Sequence, residues 1–488
     1  MKLNLIYRCS GCGREEVYSL LTKNICKCGS PFLLEYDLNL LDNSNLTEKF
    51  TSRPKGVWRY LELLPPIKIN PISMGEGGSY LHHSYGLGKM IGLRKLYIKN
   101  ESTNPTGAFT DRGATVEISR DVELGISRII CIAPGNLSVS ISAYSAKAGI
   151  PCSVYLKPGV EQVKLLQALA YNAEVFLTND PTSILTFSTS WPHENYIITS
   201  SNPLLVEGFK TCTLEVLEEL NWNPPDWILI PIGSGSHVTA SWKAIKEVEE
   251  IGLLRDRPPS ILGGQVSSCA PIAEAYREGR ETFEPSSNFR VVFPDIAEPN
   301  PVWGHMALKA VRESDGEILA VNEEQVLDAI KVLAKSEGIL AEPAAAVSLA
   351  TLIDALNLGL VKRDETVVYI VTGSGMKDPS TIQSIIEIET GKMTRQHKMI
   401  GITKRRIMSL LAEKPLHGYG IQKELATRYG IKIKYPSIYE HLTELASAGL
   451  IQPLISDKIK NKRFRKRYTL TDFGREYYKR ISQQGLPE

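Results

Sequence analysis

No apolar run in the 488 residues approaches the roughly 18–20 that a membrane span needs. Met1 to Tyr7 holds one lysine and no apolar core followed by a small-residue cleavage site. A secretory signal is therefore not expected, and a cytoplasmic location is. Internal repeats and low-complexity blocks are absent as well. With 43% hydrophobic and 23% charged residues the chain is neither disordered nor collagen-like but soluble and globular. Its length allows about two to four domains.

An excess of either charge is missing overall, since the net charge is only +2. That balance hides a division. Arg395 to Arg480 holds 20 Lys+Arg against 7 Asp+Glu, leaving 36 basic and 47 acidic residues elsewhere. A basic tail on an acidic body points to a polyanionic partner, nucleic acid above all.

Cysteine is scarce, eight in all. Cys131, Cys152, Cys212 and Cys269 lie scattered in apolar stretches and read as inert core thiols. Cys9, Cys12, Cys26 and Cys28 instead form Cys-x2-Cys and Cys-x-Cys pairs, thirteen residues apart. Two such pairs around a short hairpin suit structural Zn2+ in a knuckle too small to fold on its own core. The alternative is a metal-free remnant. Four thiolates would leave no open position for catalysis.

From about Lys95 to Thr372 short β-branched runs alternate with helical periodicity. The runs are Leu96–Ile98, Ile129–Ala133, Cys152–Leu156, Glu174–Leu177, Trp227–Pro231 and Val367–Thr372. Val139–Ala148 and Val160–Tyr171 read as helices between them. This alternation predicts an α/β fold with a mostly parallel sheet, whose ligands bind at the carboxyl ends of strands.

Four strand-end loops stand out: Asn100 to Gly113 (NESTNPTGAFTDRG), Ile132 to Leu137 (IAPGNL), Pro231 to Val238 (PIGSGSHV) and Thr372 to Pro379 (TGSGMKDP). With Gly75-Glu76-Gly77 and Glu342 to Ala346 they resemble threonine synthase, a fold-type-II enzyme dependent on pyridoxal 5′-phosphate (PLP). The similarity runs to about Glu389. It implies a two-lobed fold preceded by the cysteine knuckle.

The departures bear on function. In the family the first loop reads NPTGSFKDRG and its lysine forms the Schiff base with PLP; Thr110 stands there in this chain. A hydroxyl cannot form an imine, so the resemblance implies no catalytic residue and at most noncovalent PLP. Lys99 lies where family members also tend to carry lysine, and is no obvious replacement. The family's SSGNT loop is Ala133-Pro134-Gly135-Asn136-Leu137 here, with two hydroxyl donors lost. Asn136 either contacts the ligand, as its counterpart does, or caps the following helix. Gly233, Ser234, Gly235, Ser236 and His237 replace the family's GNGGN and retain glycines and donors suited to a phosphate. Thr372 matches the residue that resembles a partner for the pyridine nitrogen, and could equally be an ordinary strand-end residue. His237 and His305 read as structural or surface histidines, and Lys377-Asp378-Pro379 as the end of a turn.

After a polar stretch near 391–400, three amphipathic helices and a basic hairpin follow. Ile407, Leu410 and Leu411 mark the first helix and His417 opens the second. Pro436 starts the third, which buries Ile438, Leu442 and Leu445. The phrases HGYGIQKEL, PSIYEHLTELASAGLI and RKRYTLTDFG resemble the PadR-like transcription regulators, which implies a winged helix-turn-helix. In such a module the third helix enters the major groove. Ser437, Tyr439, Glu440 and His441 would then approach base edges, with Lys432 and Lys434 at the helix entrance. Lys460, Lys462, Arg463, Arg465 and Arg467 in the wing would meet phosphates.

The domains expected are a knuckle at 1–40, a threonine-synthase-like fold at 41–390, a linker at 391–400 and a winged helix at 401–484. The leading expectation is a homodimeric, ligand-responsive DNA-binding regulator acting on its own or an amino-acid-pathway operator. Its sensor would be a catalytically dead domain, and its effector PLP, threonine or a phosphorylated amino acid. A second reading is an active threonine synthase or related lyase fused to a regulator. A third is a structural partner of an authentic synthase.

Overall fold

The computed structural model describes residues 5–18, 24–41, 44–181, 195–287, 289, 291–390, 402–447, 449–454, 467–471, 474–475 and 478. Chain contacts divide it into two compact units, Met1–Ile385 and Ile386–Glu488. The linker expected at 391–400 lies outside the described residues. Among these, no helix is long and apolar enough to cross a membrane.

The first unit is built on two sheets. The larger runs in the order Glu317–Val321 (β12), Ser260–Val266 (β11), Trp227–Pro231 (β10), Thr366–Val371 (β13), Lys95–Asn100 (β5), Leu81–His83 (β4). Only β4, at the edge, is antiparallel to its neighbour. The smaller is wholly parallel, in the order Glu174–Leu177 (β8), Cys152–Leu156 (β7), Ile129–Ile132 (β6), Tyr196–Thr199 (β9). Strand β10 shows why its sequence is apolar without alternation: Ile228 and Ile230 enter one core, and Trp227 and Leu229 the other.

The helices that position the site are Asp111–Glu123 (α1), Gly135–Ala148 (α2), Pro203–Glu219 (α3), Ser236–Glu250 (α4) and Pro343–Asn357 (α5). Ile118 of α1, Tyr144 of α2 and Phe209 of α3 close a core over the smaller sheet with Cys131 and Val154. Every run expected to be a strand forms one, with ends shifted by a residue or two. Strands β4, β9, β11 and β12 were not anticipated.

The knuckle is a three-stranded antiparallel sheet of Leu5–Cys9 (β1), Glu15–Val17 (β2) and Phe32–Tyr36 (β3). Phe32 and Leu34 pack with Val116 of α1 and Leu204 of α3, so it shares the first unit's core. Cys131, Cys152, Cys212 and Cys269 are all buried free thiols.

The second unit contains Ile402–Glu413 (α6), Gly418–Tyr429 (α7) and Tyr435–Ser447 (α8) beside a small sheet. Ile407, Leu410, Leu411, Ile438, Leu442 and Leu445 meet in one core, as their spacing predicts. Two details differ from expectation. Helix α8 starts at Tyr435, placing Pro436 one residue inside the first turn, where its missing N–H still breaks no helical bond. His417 stands before α7 and caps it, its Nδ1 accepting from Gly420 N at 2.8 Å. The sheet has three strands, because Leu416–His417 (β14) pairs with Arg467–Leu470 (β16), which also pairs with Ile451–Leu454 (β15).

Candidate ligand site and nucleic-acid interface

The four loops singled out in the sequence follow the carboxyl ends of β5, β6, β10 and β13. They enclose a cavity of about 120 Å³ that brings together Thr110, Asn136, Gly233 to His237, and Thr372. At one end β10 turns into α4. Gly235 takes φ +86°, and an added Cβ would lie 2.9 Å from the Trp303 backbone, so glycine is required there. The Ser234 and Ser236 hydroxyls lie 3.0 Å apart. First-turn amides of a helix have no intrahelical acceptor, and two hydroxyls beside them complete a set of donors for an anion.

Beyond this cradle stand buried polar groups without protein partners. They are both ring nitrogens of His237, the Thr372 hydroxyl and Asn136 Oδ1. The His237 ring stacks on Phe109 at 4.4 Å, and burial lowers its pKa to about 4, so it is neutral. It thus lines the cavity wall. Asn136 does not cap α2. Pro134 is the residue at the N-cap, and Asn136 Nδ2 donates to Glu342 Oε2 at 2.7 Å. Unpaired buried polar atoms each cost about 1–3 kcal/mol, so three side chains left so in one cavity mark a place for a polar ligand.

Thr110 precedes α1 and is bonded through Oγ1 to Ser140 Oγ at 2.7 Å. No lysine or arginine is among the described residues lining the cavity. Three buried lysines of this unit are engaged elsewhere. Lys99 is fully buried, 2.8 Å from Glu215 Oε2, and donates to Ser79 O at 2.7 Å. Lys164 is paired with Asp295. Lys377 ends the single turn Gly375–Lys377, as expected, and it is also buried, its Nζ donating to Thr106 O at 2.6 Å. Burial outweighs the pull of Glu342 and Asp111 and lowers its pKa to about 8.

Sequence reasoning missed Glu342 as a wall residue. It is 2% exposed, and burial, aided by Asp295, raises its carboxyl to about 7 against the pull of Lys164. Its signal was the helix start itself, Glu342 preceding Pro343 at the first position of α5.

The sequence model described as pyridoxal-phosphate dependent enzyme matches residues 72–373, more than half of the chain. The chain belongs to that family. Within this PLP-dependent enzyme family it is 38% identical over 385 residues to threonine synthase of Methanocaldococcus jannaschii, covering 77% of this chain and 93% of that one. It is 36% identical over 387 residues to threonine synthase of Methanosarcina acetivorans, covering 78% and 95%. Two solved structures share the fold. They are threonine deaminase isoform 2 of Solanum lycopersicum (TM-score 0.54, 18% identity, 64% of this chain and 88% of that one) and maize serine racemase (0.52, 19%, 63% and 93%). A second model, the transcriptional regulator PadR-like family, matches residues 407–480. The protein is thus a threonine-synthase-like domain fused to a PadR-like domain.

Two further clusters belong to the PLP-family unit and the PadR-like unit respectively. In the first, the sulfurs of Cys9, Cys12, Cys26 and Cys28 all lie within 4.8 Å of one another. A tetrahedral site with Zn–S of about 2.3 Å needs sulfurs about 3.8 Å apart, so this donor set fits zinc. In the second, Lys432, Lys434, Tyr439 and Glu440 are exposed, and Ser437 and His441 half-buried, along α8 and its entrance. Tyr439 is tied to Tyr435, hydroxyl to hydroxyl, at 3.0 Å. Arg467 is exposed on β16, whereas Lys460, Lys462, Arg463 and Arg465 lie outside the described residues.

Proposed function

We propose that the protein is a DNA-binding transcriptional regulator whose threonine-synthase-like domain senses a ligand and has lost catalysis. The carrying observation is the cavity wall: it offers an anion cradle and unpaired polar groups, but its described residues include no amine. When bound, PLP supplies an electron sink for amino-acid chemistry. Gly233 to His237 would receive its phosphate, Thr372 its ring nitrogen and Asn136 its ring substituents. With Thr110 held by Ser140, and Lys99, Lys164 and Lys377 engaged, none of the described wall residues takes the lysine's place in binding the aldehyde or moving protons. A binding site remains, for noncovalent PLP, threonine or a phosphorylated amino acid.

The output would be the PadR-like domain. Helix α8 would enter the major groove, with Ser437, Tyr439 and His441 toward bases and Lys432, Lys434 and Arg467 toward phosphates, joined by the four further wing cations. A homodimer would match a two-fold operator, the protein's own or that of an amino-acid pathway. The cysteine cluster would hold structural zinc.

The test is to treat the purified protein with PLP and borohydride and to map lysine adducts by mass spectrometry. Retardation of its own upstream DNA with and without ligand completes it. The expected result is no specific adduct and a ligand-dependent change in DNA affinity. A trapped cavity lysine together with conversion of O-phosphohomoserine to threonine would restore the enzyme reading.

A further inference from the structure

We infer that the knuckle is a site of reversible oxidation, at which a peroxide replaces the zinc by two specific disulfides, Cys9–Cys28 and Cys12–Cys26. This rests on the reading of the four cysteines as a zinc site.

Two tight turns stand face to face in the knuckle. Cys9 O accepts from Gly13 N at 3.0 Å and closes the first; Cys26 O accepts from Gly29 N at 2.9 Å and closes the second. Gly11 stands at their contact, where an added Cβ would run into Ser30 Oγ and lie 3.6 Å from Cys28 Sγ. Across that contact Cys9 Sγ is 3.3 Å from Cys28 Sγ, and Cys12 Sγ is 3.8 Å from Cys26 Sγ. Each pair joins an exposed cysteine to a buried one: Cys28 and Cys12 are exposed, Cys9 and Cys26 buried. An oxidant therefore reaches one thiolate of each pair, and a resolving thiolate stands beside it.

The Cys28 thiolate attacks a peroxide oxygen; the O–O bond breaks, a sulfenic acid forms and hydroxide leaves. The Cys9 thiolate then attacks that sulfur, forming the S–S bond and releasing a second hydroxide. Cys12 and Cys26 repeat both steps with a second peroxide. Four thiolates and two peroxides thus give two disulfides and four hydroxide ions, and the zinc departs with every ligand lost. Both disulfides tie one turn to the other, as the metal does. Strands β1 and β3 stay joined, and Phe32 and Leu34 keep their packing on α1 and α3. Cys131, Cys152, Cys212 and Cys269 are buried outside the cluster and are spared.

The experiment loads the reduced full-length protein with zinc, removes excess metal and reductant, and adds hydrogen peroxide. Zinc should pass to a chromogenic chelator as free thiols, counted in denaturant, fall from eight to four. Peptide mapping should find Cys9–Cys28 and Cys12–Cys26, and dithiothreitol with zinc should restore the starting state. The oxidised protein should melt within about 3 °C of the zinc form and above the reduced, metal-free protein. No thiol loss, pairing within the turns as Cys9–Cys12 and Cys26–Cys28, oxidation to sulfinic acid, or thiol loss with zinc retained overturns the exchange. An oxidised protein that melts no higher than the reduced, metal-free one overturns it as well. If the reduced protein takes up no zinc, the zinc reading itself falls and the exchange with it; every other adverse outcome leaves that reading standing.

Discussion

At the scale of single residues, the chemistry turns on which buried groups have partners. Thr110 shares its hydroxyl with Ser140 and its carbonyl with Ala114 N at 3.1 Å, so it serves the start of α1. Thr110→Lys would place an amine on the cavity wall. With PLP this variant should gain a borohydride-stable mass on residue 110, where the wild type gains none, and bind PLP roughly tenfold or more tightly, about 1.4 kcal/mol. No adduct in a folded variant would show that Thr110 does not occupy the lysine's place. A second residue-scale prediction concerns Glu117 and Asp121, one turn apart on α1 and fully buried. Burial raises the Glu117 carboxyl to about 7, and burial reinforced by Glu117 raises Asp121 well above its ordinary range. Both groups therefore hold protons more tightly folded than unfolded. Their contribution is fully present below about pH 4; that of Glu117 is lost as pH rises through about 7, and that of Asp121 as pH rises through its own raised value. Glu117→Gln retains the acceptor that Tyr196 and Asn202 both meet at 2.9 Å. Denaturation from pH 5 to 8.5 should show a loss in wild type on the order of 2–3 kcal/mol larger than in the variant. Equal losses would mean that these carboxyls do not govern the alkaline limb.

At the scale of elements, the β10–α4 turn and the knuckle each depend on local sequence in a way that substitutions expose. Gly235→Ala meets both a positive φ and the Trp303 backbone, and should cost about 1 kcal/mol or more of stability while abolishing orthophosphate binding. Intact orthophosphate affinity would remove the turn from the ligand site. For the knuckle, metal analysis should find about one zinc per chain. Stripping it should lower the melting temperature, because β3 packs on α1 and α3; a metal-free protein that melts identically would make the cluster a remnant. These turns and pairs were legible because glycine-rich strand-to-helix loops and paired cysteines are local signals. Strand β11 was not. Gly263-Gly264 lowers its strand character, yet a Cβ on Gly264 would come within 2.3 Å of Thr351 Oγ1 and 2.9 Å of Val347 Cγ1, so glycine lets α5 lie close to the sheet. Strand β4 hid in a Leu-His-His segment with little apolar pattern to mark it. Nor were the meetings of Glu342 and Lys377 with their partners legible. Their partners Asn136 and Thr106 stand 206 and 271 residues away, and no local pattern records such a meeting.

For the whole molecule, the question is whether occupancy of one unit is read by the other. Free-energy linkage makes the answer measurable without knowing the route between them. If a ligand changes operator affinity by some factor, saturating operator must change ligand affinity by the same factor. The basic tail sets the background for that measurement. With about four phosphate contacts per protomer, a dimer should lose DNA affinity with a log–log salt slope on the order of −7. Ligand affinity alone should change far less with salt, because its charge is met inside a buried cavity. The decisive experiment titrates PLP into the protein with and without saturating operator at a fixed salt concentration. It then repeats the operator titration with and without saturating ligand. Coupling of about 1–3 kcal/mol, or roughly 5–150-fold, is expected in both directions and with the same sign. Equal factors above unity would make the threonine-synthase-like domain a sensor in the thermodynamic sense. A factor of one in both directions, at ligand concentrations that fill the cavity, would leave two functional units that share a chain without regulating one another.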